Sequence, residues 1–269
     1  MKLKNIFLFT LVAISLIACD NIAIDKRTTE VNIDAFKKPV VVVDFTGVAC
    51  NNCPAAAELI QTMHDKAGDK LIAVAMYPDC SFNHTEFDLR SIEATQYYEA
   101  FGDLSKIVLP SGMVDFASYN GNYIIDKDLW PSAVSSRIIS QPTLEIELTK
   151  AKLDATNRTM SFETNIKATS EIAGNISVIY WLIEDSIVGT QNYYGTYIND
   201  YTHNHVLRKS LNGLWGENVS VSVGSDYQKA NSFTIDKNNW NLTNCSVVAV
   251  VIDSDTKEIL TANKISYKQ

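Results

Sequence analysis

Two continuous apolar runs dominate the first part of the chain. Residues Pro39–Phe45 and Leu71–Tyr77 are mostly β-branched or otherwise apolar, which is typical of strands buried on both faces. Between them, the residues from Cys50 onward favour a helix, with Pro54 in a first turn where its missing N–H costs little. The pattern therefore predicts a strand, a helix and a second strand in succession.

A hairpin between two more helices is expected next. Helices are predicted at Glu86–Phe101 and Asp128–Ile139, and strand-like segments at Gly112–Phe116 and Tyr123–Ile125 are joined across Asn120-Gly121. An Asn-Gly pair adopts positive φ readily and is a strong hairpin signal. The order β-α-β-α-β-β-α predicts a mixed sheet covered by helices, ending near residues 141–142.

Beyond residue 142 the pattern changes to alternation. Leu144, Ile146 and Leu148 alternate with polar residues, and the segment Met160–Ile166 does the same. Further strands are predicted at Ile176–Ile183, His205–Arg208, Val219–Val223, Ser232–Ile235, Ser246–Ile252 and Ile259–Tyr267. Many short strands without a helix predict an all-β immunoglobulin-like sandwich domain over residues 142–269, after an α/β domain over residues 35–141.

The N-terminus has the three zones of a secretory signal. Lys2 and Lys4 precede an apolar stretch that leads into Leu16-Ile17-Ala18-Cys19, which resembles the bacterial lipobox. The alternative is a membrane anchor, but Ile6 to Ala18 is 13 residues, short of the roughly 20 needed to span a bilayer. We therefore expect a signal peptide over residues 1–18, lipid on Cys19 and a linker over residues 19–34.

Charge and cysteine count narrow the functional classes. The chain has a net charge of −8 and becomes more acidic when Lys2 and Lys4 leave with the signal, which argues against nucleic acid as a partner. An acidic body is repelled by anionic headgroups, so contact with the membrane is expected through the lipid on Cys19 alone. Without Cys19, four of the five cysteines remain, an even number in a compartment where disulfides persist.

The strongest chemical motif is Cys50-Asn51-Asn52-Cys53, placed between a buried strand and a helix start. Unpaired N–H groups and the helix dipole there stabilise a thiolate. At this point the chain resembles thioredoxin. The resemblance implies an α/β thioredoxin-like domain in which Cys50 attacks a substrate disulfide and Cys53 resolves it. It also implies that Asp44 assists proton transfer and that Pro110 follows a cis bond and shapes the substrate groove.

Two departures from thioredoxin leave other interpretations open. Ala49 replaces the usual tryptophan, and Asn51-Asn52 supplies no cation that would hold a thiolate. The alternatives are a structural Cys50–Cys53 disulfide without turnover, or a metal site, which two cysteines alone do not complete.

The C-terminal half is similar to a second family. Tyr180–Asp185, Gln191 and Tyr201–Arg208 resemble the signature of the 28-kDa outer-membrane lipoproteins, as does the phrase from Phe45 to Pro54. This resemblance implies a lipid-anchored protein of the outer membrane, although in some bacteria an acidic residue directly after the lipidated cysteine, such as Asp20 here, retains a lipoprotein at the inner membrane. It does not supply a reaction. The sequence predicts a thiol-disulfide oxidoreductase acting on envelope proteins without a cofactor, or alternatively a noncatalytic surface-binding module.

Other candidate residues have less specific patterns. His203 and His205 alternate on a predicted strand and could share a metal, but no third ligand is evident, so they are assigned with Tyr201 to recognition. Cys80 and Cys245 could bridge the two halves or remain free buried thiols.

Overall fold

The computed structural model describes residues 37–267. The predicted signal peptide, Cys19 and the linker lie outside the described residues. The elements of the first half are β1 (Val40–Phe45), α1 (Cys53–Ala67), β2 (Leu71–Met76), α2 (Ile92–Phe101), β3 (Ser111–Val114), β4 (Ile125–Asp126) and α3 (Trp130–Ile138).

The second half contains ten strands among the described residues. They are β5 (Leu144–Asp154), β6 (Thr159–Ala168), β7 (Ile176–Glu184), β8 (Ile187–Tyr193), β9 (Thr196–His203), β10 (Val206–Ser210), β11 (Glu217–Val219), β12 (Tyr227–Thr234), β13 (Cys245–Asp253) and β14 (Ile259–Ser266).

One large sheet runs through both halves. Its path is β14-β13-β7-β10-β2-β1-β3-β4, and β11 also pairs with β7. The two halves join where β10 lies parallel to β2, with Val206 opposite Ala75, while the other edge of β10 pairs with β7. The prediction of an α/β thioredoxin-like domain followed by a separate all-β sandwich is therefore wrong. The structure is mostly β. Strands of both halves are hydrogen-bonded into one sheet, so the two predicted domains do not have separate sheets.

A second sheet covers one face of this large sheet. The order of its strands is β12-β6-β5. Leu144 and Phe162 from this sheet pack with Tyr180 and Leu182 of β7. The alternate residues of β7 face the other way, and the indole N–H of Trp181 donates a 2.9 Å hydrogen bond to the Tyr97 hydroxyl on α2. All nine residues of β7 are therefore buried, because both faces of the sheet are covered.

Local signals position the helices and turns. Ser91 accepts a hydrogen bond from the backbone N–H of Ala94, so α2 starts at Ile92 instead of the predicted Glu86. The predicted turn at Asn120-Gly121 is confirmed, with φ values of 52° and 83°, and the strands β3 and β4 on either side of it pair. Pro54 lies in the first turn of α1, as expected.

Candidate functional site

The Cys50–Cys53 motif forms a disulfide at the start of α1. The Cα atoms are 5.5 Å apart, and each residue is only 2% exposed. Cys53 is the first residue of α1, whereas Cys50 lies on the preceding turn and its N–H bonds to the Gly47 carbonyl. We call residues 47–53 the disulfide turn.

Asp44 on β1 lies close behind this turn. It is 3% exposed, and its Oδ1 has no hydrogen-bond partner. Burial disfavours the charged carboxylate and raises the pKa of Asp44 from 3.8 to about 8. The carboxyl group is therefore mainly protonated at neutral pH.

Pro110 lies in a loop that packs on the disulfide turn through its neighbour Leu109. The Leu109–Pro110 bond is cis, as the resemblance implied. Ser111, the next residue, pairs with Phe45 at the end of β1. A Cβ atom at Gly47 would lie only 3.1 Å from the Leu109 side chain, so this loop packs directly on the disulfide turn.

The β8–β9 hairpin covers the disulfide turn. Gln191 on β8 is 2% exposed, and its amide nitrogen donates to the carbonyls of Gly47 at 3.2 Å and Cys50 at 3.0 Å. The Gly47 carbonyl also accepts the Cys50 N–H, so the bond to the Cys50 carbonyl matters more: a buried carbonyl without a partner costs roughly 1–3 kcal/mol, and this bond favours the closed arrangement.

Backbone groups extend the same contact along the hairpin. The Asn192 N–H donates to the Val48 carbonyl at 2.8 Å, and the Asn192 side chain donates to the Ala49 carbonyl at 3.2 Å. At the hairpin tip, the Tyr194 N–H donates to the Asn51 carbonyl at 3.2 Å. The hairpin thereby contacts the disulfide turn along most of its length and keeps Cys50 from solvent.

A cavity of about 340 Å³ lies between α1 and the hairpin. We call it the α1–hairpin cavity. Its lining includes the buried residues Asp44, Cys53 and His203, together with Tyr201 of β9. Exposed residues such as Glu58 form its rim, so the cavity is accessible from solvent. The structure thus brings five predicted site residues to one cavity: Asp44, Cys53, Tyr201, His203 and His205.

His203 is held in one orientation within this cavity. Its Nε2 lies 3.3 Å from the Thr190 carbonyl, which can only accept, so Nε2 carries the proton and Nδ1 accepts from the Tyr77 hydroxyl at 2.9 Å. Burial is the main cause that lowers the pKa of His203 from 6.5 to about 4. The imidazole is consequently neutral at physiological pH, and both of its nitrogens are hydrogen-bonded, to the Thr190 carbonyl and the Tyr77 hydroxyl.

His205 has a different environment. Its Nδ1 lies 2.9 Å from Asp185 Oδ1, and its backbone N–H donates to the same oxygen at 2.7 Å. Within residues 37–267, no group of three His, Cys, Asp or Glu residues could hold a metal ion. Cys80 and Cys245 are free buried thiols, so the alternative of a bridge between them is wrong.

The sequence pattern did not predict the β8–β9 hairpin or the role of Gln191. We call the two hydrogen bonds from its side chain to the Gly47 and Cys50 carbonyls the Gln191 clamp. The available signal was the pair Tyr194-Gly195, which has φ values of 49° and 92° in the structure and is flanked by strand-forming residues.

Comparisons with known proteins give one family match. Residues 94–269 match the family model described as outer membrane protein Omp28. A comparison with curated protein sequences gives no match. In the described part of the chain, no helix has the length and apolar character needed to cross a membrane.

Two solved structures have a similar fold. HBP35 of Porphyromonas gingivalis is 16% identical with a TM-score of 0.68, and the match covers 86% of this chain and 76% of that chain. A protein from Agrobacterium tumefaciens is 13% identical with a TM-score of 0.53, covering 85% of this chain and 94% of that chain. A domain of the outer membrane lipoprotein Omp28 from Porphyromonas gingivalis is 22% identical over 47% of this chain and 89% of that domain, with a TM-score of 0.33.

Proposed function

This chain belongs to the Omp28 family of outer-membrane proteins, and we propose that it carries out thiol-disulfide exchange on proteins of the cell envelope through Cys50 and Cys53. The family match confirms the resemblance to 28-kDa outer-membrane lipoproteins and places the protein at the outer membrane. The exchange reaction is our inference from the geometry of the disulfide turn and the adjoining cavity.

One observation carries this proposal. The Asp44 carboxyl has no hydrogen-bond partner for Oδ1 and lines the same cavity as Cys53. A structural carboxyl is normally paired when it is buried, whereas a general acid-base group needs a pKa near the working pH. The pKa of Asp44, about 8, meets that requirement. A perturbed carboxyl beside a dithiol in a cavity supports a catalytic site.

The proposed reaction begins with the reduced dithiol. The Cys50 thiolate attacks one sulfur of a substrate disulfide, which breaks the substrate S–S bond and releases the first substrate thiolate. The minor fraction of Asp44 that is ionised at neutral pH, or the larger fraction near pH 8, accepts the proton of Cys53, whose thiolate attacks the Cys50 sulfur. The Cys50–Cys53 bond forms, the second substrate thiolate leaves, and two electrons have passed to the substrate. The resemblance to thioredoxin implies that Pro110, after the cis bond, shapes the groove for the substrate backbone.

A trapping experiment tests the exchange. In Cys53→Ser, the mixed disulfide on Cys50 has no resolving thiol, so a stable adduct with a model peptide disulfide is expected by mass spectrometry. Cys50→Ser is the matched control and should give no comparable adduct, since the attacking thiol is absent. If the two variants give equally little adduct, and the native disulfide of the unmodified protein resists a mild dithiol, the proposal is refuted.

A second candidate function is noncatalytic binding with a structural disulfide. The specific observation in its favour is the 2% exposure of Cys50 under the β8–β9 hairpin, which excludes a folded protein substrate in the closed arrangement. At the hairpin tip, Tyr194 and Tyr197 are 53% and 55% exposed, an aromatic surface of the kind enriched at protein interfaces. Failure of the trapping experiment would favour this candidate.

A further inference from the structure

The α1–hairpin cavity has an aromatic side. The ring of Tyr201 lies between those of Tyr193 and His203, with centroid distances of 6.4 Å and 4.8 Å. The ring of Tyr77 continues this row, 6.0 Å from His203. All four residues line the cavity. Aromatic rings attract cations through their negative faces, most strongly where water is excluded.

The ionisable groups around the cavity also favour a cation as the ligand. Its lining contains no lysine or arginine, while Asp44 at its base and Glu58 at its rim are carboxylic acids. Glu58 already accepts a 2.9 Å hydrogen bond from the Tyr193 hydroxyl, whereas Oδ1 of Asp44 has no partner. An anionic ligand would find no counter-charge here. The net charge of −8 adds a general attraction for cations.

We propose that the α1–hairpin cavity binds a small organic cation, an ammonium ion, which pairs with Asp44 as that carboxyl releases its proton to solvent. The tyrosine rings contact the alkyl groups of the ligand, and the ionised Asp44 carboxylate supplies the counter-charge. This binding does not depend on thiol exchange, because the cavity is present with the Cys50–Cys53 disulfide intact.

The titratable and charged groups around the cavity bear on how binding depends on pH. Besides Asp44, the lining includes Cys53 and Glu58 of α1, Tyr77 after β2, Tyr193, Tyr201 and His203 of the hairpin, and His205 before β10, while Arg208 of β10 acts electrostatically on Tyr77. Cys53 is in the disulfide and does not titrate, and Arg208 is paired with Glu184 at 2.8 Å. Burial lowers the pKa of His203 to about 4 and raises that of Tyr201 to about 12.

Asp44 is the group expected to change charge on binding near neutral pH, because it is the group that pairs with the cation. Since its pKa is about 8 in the unliganded protein, most molecules must lose this proton when a cation binds at pH 7. Linkage then requires affinity to rise with pH up to about 8 and to level off above it. Between pH 6 and pH 8 the expected gain is roughly 50-fold.

Isothermal titration calorimetry on the oxidised protein tests the proposal. The probes are choline and n-butylammonium, and the neutral control is 3,3-dimethylbutanol, which has the shape of choline without its charge. Titrations at about pH 7 in two buffers with different ionisation enthalpies measure the protons released. We expect binding of at least one ammonium probe, release of close to one proton per ligand and no comparable binding of the neutral control.

Two variants with matched controls locate the site. Asp44→Asn should abolish both the proton release and the pH dependence, whereas Asp226→Asn, at an exposed position, should change neither. Tyr201→Leu should weaken binding roughly 5-fold by removing one aromatic face. Tyr123→Leu, at an exposed tyrosine outside the cavity lining, should bind like the unmodified protein. The proposal is overturned if neither ammonium ion binds, if the neutral control binds equally well, or if Asp44→Asn leaves binding and proton release unchanged.

Discussion

Replacing Asp44 by asparagine should remove a large pH dependence from the stability of the protein. The pKa of Asp44 is about 8 in the folded chain and near 3.8 in an unfolded chain. Between pH 3.8 and about pH 8, the folded protein holds a proton on Asp44 that the unfolded chain has lost. Stability therefore falls as pH rises through this window and is lowest above pH 8, because folding then requires a buried carboxylate.

The size of the effect follows from the pKa difference. Each pKa unit corresponds to about 1.4 kcal/mol, so the unmodified protein should lose on the order of 4 kcal/mol between pH 5 and pH 8 from this group alone. Asparagine has nearly the same shape and cannot ionise, so Asp44→Asn lacks this loss. His203, with its pKa lowered to about 4, destabilises the fold as pH falls below about 6.5. That contribution is present in both proteins and cancels in their difference.

Guanidinium unfolding at about pH 5, 6.5 and 8, with the disulfide intact, measures this difference. The free energy of unfolding of Asp44→Asn, relative to the unmodified protein, should increase steadily with pH. Asp226→Asn is the control, because it makes the same substitution at an exposed position. Parallel pH profiles for the unmodified protein and Asp44→Asn would refute the inference that Asp44 is buried and protonated.

Two further substitutions test the hairpin and the core. Gln191→Ala removes the donor to two carbonyls of the disulfide turn, so reduction of the disulfide by dithiothreitol should accelerate about 5- to 100-fold. Thr190→Ala is the control. Equal reduction rates for the two variants would contradict the inference that the Gln191 side chain holds the hairpin on the disulfide turn. Phe162→Ala removes a buried ring that contacts Tyr180 and Phe233, and should lower the free energy of unfolding by about 3–5 kcal/mol. A loss below about 1 kcal/mol in denaturant unfolding would contradict that packing.

Local features of the fold were predictable because their causes are local. The apolar run before Asp44 forms β1, and Pro54 marks the first turn of α1. The Asn120-Gly121 turn needs positive φ, which these residue types adopt readily. The positions of Cys50 and Cys53 relative to that strand and helix follow from the same signals.

The partner of each strand was not predictable from the pattern. A strand covered on both faces has the same composition whether helices or a second sheet cover it. The sequence of β7 therefore does not indicate that the second sheet covers one of its faces and α2 the other. The connection between the halves rests on Val206 opposite Ala75, a pairing between residues far apart in sequence. Separate α/β and β-sandwich domains were therefore expected where one sheet is present. The division near residue 141 stays a prediction about independent folding units.

The β8–β9 hairpin was the least predictable part of the site, and it determines both the burial of Asp44 and the protection of the disulfide. Asp44 and Cys53 come from the first half of the chain, but Gln191, Tyr201 and His203 reach them from the β8–β9 hairpin. Without that hairpin, one wall of the cavity is lost and Asp44 is hydrated, so its pKa returns toward the ordinary range. The same closure shields the disulfide from substrates. Burial of the carboxyl and protection of the disulfide therefore have one physical cause, and loosening the Gln191 clamp should weaken both.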